Sequence, residues 1–369
     1  MDTWATSSLT PQIAGGWEDP GEGGRWAQLF PMDLRPQAHD IIRTWLFSTV
    51  VRSHLEHGTV PWSDVAISGW ILDPDRKKMS KSVGNVVTPQ ALLDKHGSDA
   101  VRYWAASGRP GTDTAFVEGQ MEVGRKLALK VMNASKFVLS PKLWAGAGGT
   151  EPSAGEAALL AAQAAARPEV VSAPVDRALL ASLAELVVSA TRAFDDYDYA
   201  RALERTEAWF WDFCDNYLEL VKTRAYGEMG PDGAGSARAA LATSLSVLLR
   251  LFAPFMPFVT EEVWSWWQEG SVHQSTWPGP AASEGPVPAV PAEQLATYPI
   301  AVELLAAVRK VKSEAKVGPR SPVARTKFAG PPSALGALRL VEADLRAAQN
   351  IAELVLAVAE TPSVEVTLA

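Results

Sequence analysis

Residues 76–89 read RKKMSKSVGNVVTP, and the first seven of them carry four cations and two hydroxyl groups. The stretch follows VAISGWIL at 65–72, an apolar run that predicts a buried strand, and the turn DPDRK that ends it. Lysines supply mobile positive charges, hydroxyls donate hydrogen bonds, and Gly84 lets the backbone bend. A basic loop after a buried strand therefore predicts a phosphate site, while an exposed basic turn is the plainer alternative.

The residues before this loop predict mixed strands and helices, as in an α/β domain. AQLFPMDLRPQ at 27–37 predicts a short extended run broken by Pro31 and Pro36. HDIIRTWLFSTVVRSHLEHG predicts a helix that ends at Gly58. The inward-facing residues expected on that helix are Ile41, Trp45, Val50 and Leu55.

Three helices are expected directly after the loop. Thr88-Pro89 predicts a helix start and Gly97 its end. Ser98-Asp99 is expected to cap the next helix, and EGQMEVGRKLALKVMNASKFVLS at 118–140 predicts a long third one.

Composition limits the classes of protein that the chain can belong to. Its 369 residues predict two or three domains, and 47% apolar with 21% charged residues predicts a packed core. The single cysteine, Cys214, excludes an internal disulfide and is typical of a reducing compartment. No apolar run approaches ~18 residues and no secretory leader is visible at the start, so we expect a cytoplasmic protein without a membrane span.

Charge is unevenly distributed along the chain. The net charge of −8 is not typical of a nucleic-acid-binding protein. Residues 309–327, RKVKSEAKVGPRSPVARTK, nevertheless carry seven Lys or Arg against the single acid Glu314. Such a patch could hold a polyanion, and a solvated helix face with its loop remains the alternative.

The second half of the chain predicts a helical bundle. Residues 141–172 are rich in Gly, Ala and Pro and predict a linker or surface loop. Leucines and aromatic residues then recur at three- and four-residue spacing through three helices, and a fourth begins near Thr260. After a proline-rich connection at 278–291, helices at 296–314 and 340–350 and the strand-like SVEVTLA predict a small α/β appendage.

The loop and four other blocks resemble the class I aminoacyl-tRNA synthetases, and among these the valyl-tRNA synthetase family. KMSKS at 78–82 is similar to the second signature of the class. The order and spacing of the remaining blocks are similar to those of the valyl family. These blocks are DTWATSSL (2–9), HDIIRTW (39–45), GSDAVRYWAASGRPGTDTAF (97–116) and LFAPFMPFVTEEVW (251–264).

The resemblance implies a fold class of α/β plus α in three parts. Residues 1–107 would form the C-terminal half of a class I Rossmann catalytic domain that carries the KMSKS loop. Residues 108–290 would form the all-α anticodon-binding domain, and 291–369 the small C-terminal α/β appendage.

The resemblance also implies a ligase reaction that uses ATP, valine and a valine-accepting tRNA. Lys78 and Lys81 would neutralise the triphosphate, with Met79, Ser80 and Ser82 shaping the loop and Mg²⁺ carried by the ATP phosphates. The valine ammonium would lie on Asp40. The walls of the valine pocket would be Trp4, Ile41 and Trp45, although helix core is the plainer interpretation of the last two. Ala38 departs from the glycine usual in the family and could crowd the substrate backbone.

Contacts with tRNA are expected from cations of the bundle and of the basic segment. The residues that we expect to meet phosphate are Arg201, Lys222, Arg224, Arg309, Lys310 and Lys312. Trp209, Trp211 and Tyr217 are expected in the core rather than at the anticodon.

One signature of the class is not found in these residues. None of the five histidines lies in a His-x-Gly-His sequence, and HLEH at 54–57 has Glu56 where a glycine is needed. The resemblance implies that the chain starts after the editing domain, so that a separate N-terminal half would complete the site and one sheet edge would be unpaired. The alternative is a non-catalytic tRNA-binding paralogue or remnant.

Overall fold

The structure is a computed structural model that describes residues 3–18, 21, 24–80, 82–146, 149–279 and 290–369. Its N-terminal part is a mixed α/β unit in which β1 and β2 form a parallel pair, with Leu34 opposite Asp64. The elements of this unit are α1 Thr3–Ser7, α2 Thr10–Gly15, α3 Arg25–Leu29, β1 Met32–Ala38, α4 Phe47–His57, β2 Trp62–Ser68, β3 Ile71–Leu72, α5 Pro89–His96, α6 Ser98–Ala106 and β4 Thr114–Ala115.

The segment that joins β1 to β2 is helical, as the sequence predicts. It passes through a 3-10 turn at His39–Ile41 and a π-helical stretch at Ile42–Leu46 before α4. Gly58 ends α4 in the left-handed region (φ 70°) and donates its N–H to the His54 carbonyl oxygen. The prediction that Leu55 faces inward is wrong, because its side chain is 77% exposed among the described residues.

The extended run expected at 27–37 is shifted along the chain. Its first residues lie in α3, and β1 includes Pro36, which does not break it. A proline cannot donate to a strand ladder and is tolerated in an edge strand. Within the described residues β1 pairs with β2 alone, so this pair has an edge at which Pro36 is accommodated.

The strand predicted at 65–72 is two strands, because β2 ends before Gly69 and β3 begins after Trp70. A β-carbon at Gly69 would lie 2.2 Å from the Thr112 carbonyl oxygen, which only a glycine allows. After this approach β3 pairs in parallel with β4 instead of continuing the ladder of β2. The break places the loop after β3 beside the carboxyl end of β2.

The bundle has the helices that the apolar spacing predicts, with one addition. Its helices are α7 Glu118–Val138, α8 Ala154–Ala165, α9 Pro174–Asp195, α10 Tyr199–Asp212, α11 Leu218–Ala225, α12 Pro231–Phe252 and α13 Pro257–Trp264. A π-helical stretch at Phe213–Tyr217 joins α10 to α11.

Helix α8 corrects the prediction of a linker at 141–172. Ser153 and Glu156 form a capping box at its start, with the Glu156 carboxylate 2.8 Å from the Ser153 N–H. Ala157 and Ala161 are fully buried, and the helix packs on α12. The alanine content therefore serves close helix packing rather than flexibility.

Asp99 caps a different helix from the one predicted. Its carboxylate accepts the N–H groups of Phe258 (3.1 Å) and Val259 (2.7 Å) at the start of α13. Arg102 donates from the same helix, α6, to the carbonyl oxygens of Pro254 and Phe255. These bonds attach the α/β unit to the bundle.

The C-terminal part contains a three-stranded sheet of which the sequence predicted one strand. Strand β5 is central, pairing in parallel with β6 and antiparallel with β7. The elements are α14 Ala292–Leu295, α15 Thr297–Glu314, β5 Val323–Gly330, α16 Pro332–Arg339, α17 Glu342–Gln349, β6 Ile351–Val358 and β7 Ser363–Leu368. Most of the proline-rich connection, 280–289, lies outside the described residues.

The apolar core of the bundle continues into the C-terminal part. Leu304 and Leu305 of α15, Phe328 of β5 and Leu345 of α17 are all fully buried in the same cluster as the bundle residues. The divisions at 107/108 and 290/291 remain predictions. No helix in the described part of the chain has the length and apolar character needed to cross a membrane.

Candidate functional site

Asp73 holds the start of the lysine loop. Its backbone N–H donates to the Lys77 carbonyl oxygen (2.8 Å), and its carboxylate accepts the Lys77 N–H (2.7 Å). Lys78 then forms an antiparallel bridge with Leu72 of β3. The Lys77 N–H and the Asn85 amide both bond the ionised carboxylate and lower the pKa of Asp73. The backbone is therefore fixed as far as Lys78.

Asn85 closes the far end of the same loop. Its side-chain amide donates to the Asp73 carboxylate (2.8 Å) and to the Lys78 carbonyl oxygen (3.2 Å). Its side-chain oxygen accepts the Ser80 N–H (2.9 Å). Sequence reasoning missed both residues, although short polar side chains that flank a loop commonly bond its backbone.

The side chain of Lys78 lies between an aromatic ring and a carboxylate. Its ammonium is 4.1 Å from the centroid of the Trp70 ring and 3.6 Å from Asp40 Oδ2. Trp70 also packs on His39, whose Nδ1 is 3.4 Å from the Ser68 carbonyl oxygen. Residues that follow β1 and β2 thus meet at the carboxyl ends of two parallel strands, where α/β sheets commonly bind ligands.

The remaining loop residues form a tight turn with exposed hydroxyls. The Oγ atoms of Ser80 and Ser82 are 2.6 Å apart, and Met79 is half-buried. Gly84, at φ 73°, donates its N–H to the Ser80 carbonyl oxygen (3.1 Å). Lys81 lies outside the described residues. The described loop thus offers the Lys78 ammonium at the strand ends and two hydroxyls, groups whose chemistry suits a polyphosphate.

The residues predicted to line the valine pocket lie on two neighbouring segments. The Trp45 indole N–H donates to the Ser7 carbonyl oxygen (2.7 Å), which holds α1 and its Trp4 against the π-helical stretch that follows Asp40 and Ile41. Asp40 and Trp4 are exposed, whereas Ile41 and Trp45 are half-buried. The structure therefore brings Trp45 next to the helix that carries Trp4, and the role of these residues as pocket walls stays a prediction.

Arg35 supports the Trp45 ring and was missed by sequence reasoning. Its guanidinium carbon is 3.1 Å from the Trp45 ring centroid and 4.9 Å from that of Trp62. Burial lowers the pKa of Arg35 to about 10. Its Nε and Nη2 atoms have no hydrogen-bond partner in the described part of the chain. An arginine inside the predicted extended run 27–37 was the available signal.

Two cations expected to contact tRNA are buried. Arg224 donates to the carboxylates of Asp176 (2.7 Å) and Asp344 (2.9 Å), which join α9, α11 and α17. The Lys312 ammonium donates to the carbonyl oxygens of Pro319 and Gln349, both at 2.9 Å. Because both cations are buried and already bonded inside the protein, neither is available to a phosphate, and the prediction of phosphate contacts is wrong for these two. Burying an unpaired charge is costly, which explains the partners.

Arg309 is also engaged within the chain. Its guanidinium donates to Asn216 Oδ1 (2.6 Å) and to the Asp215 carbonyl oxygen (2.7 Å) of the π-helical stretch. The other expected cations are accessible. Side-chain exposure is 75% for Lys310, 51% for Arg201 and 37% for Lys222, and their ion pairs are with surface acids. Surface pairs of this kind exchange readily with solvent or another anion.

Comparison with known proteins assigns two regions of the chain to known families. The family described as tRNA synthetases class I (I, L, M and V) matches residues 1–117, and the anticodon-binding domain of tRNA ligase matches 176–327. A solved structure, the LeuRS-tRNA-LeuAMS ternary complex from Agrobacterium radiobacter K84, is similar to this chain with a TM-score of 0.56 and 18% sequence identity. The match covers 80% of this chain and 33% of the LeuRS chain. That likeness shows the fold alone. The sequence matches over 1–117 and 176–327 assign the chain to the class I tRNA synthetase family.

Its curated relatives narrow the family. Valine--tRNA ligase from Salinispora tropica is 54% identical over all of this chain and 42% of its own length. The enzyme of that name from Thermobifida fusca is 58% identical over 96% of this chain and 37% of its own. The chain belongs to the valine--tRNA ligase family, and it spans about two fifths of the length of these relatives.

Proposed function

We propose that this chain is the C-terminal part of a valine--tRNA ligase and that it forms one side of the activation site. The observation that carries the proposal is the convergence of Lys78, Asp40 and Trp70 at the carboxyl ends of β1 and β2. The identity to valine--tRNA ligases over the whole chain supports it. In this reaction the valine carboxylate attacks the α-phosphate of ATP and displaces pyrophosphate.

Each residue has a defined task in this proposal. Asp40 pairs with the valine ammonium, and Trp4, Ile41 and Trp45 limit the volume of the side-chain pocket. Lys78 and Lys81 neutralise the charge that develops on the leaving pyrophosphate. A cation placed there stabilises the transition state more than the ground state. Mg²⁺ would be held mainly by the phosphates, as is usual for this ion.

The bundle and the C-terminal part bind a valine-accepting tRNA in the same proposal. The accessible cations Arg201, Lys222 and Lys310 supply phosphate contacts, and Lys310 belongs to the basic segment 309–327. Contacts of this kind release counterions, so the affinity falls steeply with salt. Trp209 and Trp211 bond Ser182 and Glu207 inside the bundle, which supports a structural role for these rings.

Valine-dependent ATP–pyrophosphate exchange tests the catalytic proposal. The purified chain is assayed alone and after addition of an N-terminal half that carries the His-x-Gly-His signature, taken from a full-length relative. We expect exchange only on mixing, because a loop alone supplies charge without positioning the α-phosphate, and misplacement by ~1 Å already costs ~10²-fold. Exchange by the chain alone would show a site of another kind. Failure in both assays would favour the non-catalytic tRNA-binding alternative.

Filter binding across a salt series tests the tRNA proposal independently. We expect weak binding whose logarithm falls linearly with the logarithm of salt concentration. Replacing Lys310 with Ala should weaken binding to every tRNA alike and reduce the slope by about one. Lys95→Ala, at an exposed lysine that is paired with Glu118 and lies outside both the bundle and the basic segment, is the comparison variant and should leave the slope unchanged. Binding that does not respond to salt would remove the proposal.

A further inference from the structure

We propose that Asp73 and Asn85 form a clip that positions Lys78, and that both act as positioning residues rather than catalytic ones. The inference rests on the proposed role of the lysine loop. It adds to that role two residues outside the KMSKS sequence, one before it and one after it. Neither needs to touch a substrate to affect the reaction.

The clip fixes the Lys78 backbone on two sides. On one side Lys78 bridges to Leu72, and the Asp73 carboxylate holds the preceding N–H of Lys77. On the other side the Asn85 amide bonds the Lys78 carbonyl oxygen and the Ser80 N–H. The Asp73–Asn85 bond of 2.8 Å joins the two halves. The two ends of the loop are therefore tied together through side chains.

Burial gives the clip its strength. Asp73 is only 6% exposed, and its ionised carboxylate is stabilised by N–H donors that solvent would otherwise replace. Charge-assisted hydrogen bonds are about twice as strong as neutral ones. By contrast, the Lys78 side chain is half exposed, and its partners among the described residues are a surface carboxylate and an aromatic face. The position of its ammonium thus depends on the backbone from which it extends.

Asparagine at 85 is chemically specific for this task. The side chain must donate to a carboxylate and to a carbonyl while accepting an N–H, and only an amide does all three. Aspartate has the same shape but cannot donate when ionised, and it would place a second negative charge beside Asp73. Asn85→Asp therefore breaks two bonds of the clip while preserving its volume.

Trypsin cleavage of the chain itself tests the clip without any ligase assay. Cleavage after Arg76, Lys77 or Lys78 requires the backbone to open locally. We expect Asn85→Asp to be cut in this loop several-fold faster than the unmodified chain, as measured by mass spectrometry of the fragments. Asn133→Asp, the same change at an exposed position of α7, is the control and should match the unmodified chain. Far-UV circular dichroism checks that each variant is folded.

A double substitution tests the pairing of the two residues. In Asp73→Asn with Asn85→Asp, the amide and the carboxylate change places, so the bond between them can form again. We expect the double variant to regain at least half of the lost protection against trypsin. Two substitutions that act independently would instead add their losses, so this recovery shows that the two sites are coupled. In the reconstituted enzyme, Asn85→Asp should lower the exchange kcat by about 10- to 100-fold with little change in the KM for valine.

Two results would overturn the clip. One is trypsin cleavage of Asn85→Asp at the rate of Asn133→Asp. The other is a double variant cut faster than Asn85→Asp. If the loop opens but the exchange kcat is unchanged, the clip orders the loop without positioning Lys78, and the proposal fails at that step. If the unmodified reconstituted enzyme shows no exchange, the proposed function fails while the trypsin result still decides the clip.

Discussion

At the scale of single residues, removal of the Lys78 side chain should lower the exchange rate without weakening the binding of valine. We predict that Lys78→Ala lowers the exchange kcat of the reconstituted enzyme by at least ~10²-fold, because a charge that acts on the transition state is lost. The KM for valine should not rise, since Asp40 loses a competing cation that lies 3.6 Å away. Initial rates over a valine series measure both constants.

The neighbouring Lys77 provides the matched control for this prediction. It has the same side chain, and its ammonium is exposed one residue away. We expect Lys77→Ala to change kcat by less than ~3-fold. An equal loss for both variants would assign the effect to general charge, and a rise in the valine KM for Lys78→Ala would assign Lys78 to ground-state binding.

The lowered pKa of Asp73 predicts how the loop responds to acid. The bonds from Lys77 and Asn85 favour the ionised form, so their contribution is complete above the pKa of an unfolded aspartate, about 3.9, and is lost as the pH falls through the lower folded value. Hydrogen exchange of the 76–86 peptide, corrected for its intrinsic rate, should show protection that declines below about pH 4. Asp73→Asn should be less protected near neutral pH, with the difference narrowing in acid. A constant difference would contradict the assignment.

At the scale of elements, a substitution in α8 tests whether this segment is a packed helix or the linker that its composition predicted. Ala161 is fully buried against the bundle. We predict that Ala161→Leu lowers the free energy of unfolding by about 1–3 kcal/mol, because added methylenes overpack a closed interface. Urea unfolding followed by circular dichroism measures the change. Leu159→Ala, at a leucine that is 58% exposed on the same helix, should stay within about 0.5 kcal/mol. Equal effects would indicate that α8 is not packed in solution.

At the scale of the whole molecule, the Arg224 cluster joins the bundle to the C-terminal part. The Asp176 carboxylate, which accepts from Arg224, also accepts hydrogen bonds from the hydroxyls of Tyr217 (2.9 Å) and Ser236 (2.6 Å). We predict that Arg224→Met costs about 3–5 kcal/mol, because Asp176 and Asp344 are left buried without their cation. Thermal unfolding should show α17 and the sheet separating before the bundle.

Arg224→Lys is the informative companion to that variant. A lysine keeps the charge but cannot reach both carboxylates with a planar fork. We expect an intermediate loss of stability, with filter binding to tRNA unchanged at temperatures where the protein is folded. Weaker tRNA binding by a fully folded Arg224→Lys would return this residue to the set of phosphate contacts.

The sequence by itself determined the elements whose signals are local. Apolar residues at helical spacing predicted α9, α10, α12 and α15, and Thr88-Pro89 and Gly97 marked the ends of α5. The KMSKS loop could be located because Lys, Ser and Gly are concentrated after an apolar strand. These features are set by neighbouring residues, so no knowledge of the fold was needed.

The tertiary structure alone decided which residues distant in the sequence contact one another. Arg224 and Lys312 were predicted to contact phosphate for the same reason as Lys310, their positive charge. They are nevertheless buried, because carboxylates or carbonyl groups from other segments surround them, whereas Lys310 is exposed. Alanine-rich α8 became a packed helix only through the surface of α12, and Gly69 ended β2 because Thr112 approaches it. Lys78 meets Asp40 through the pairing of β1 with β2, a contact between residues far apart in sequence. Burial and pairing depend on long-range packing, whereas spacing and propensity are properties of the local chain.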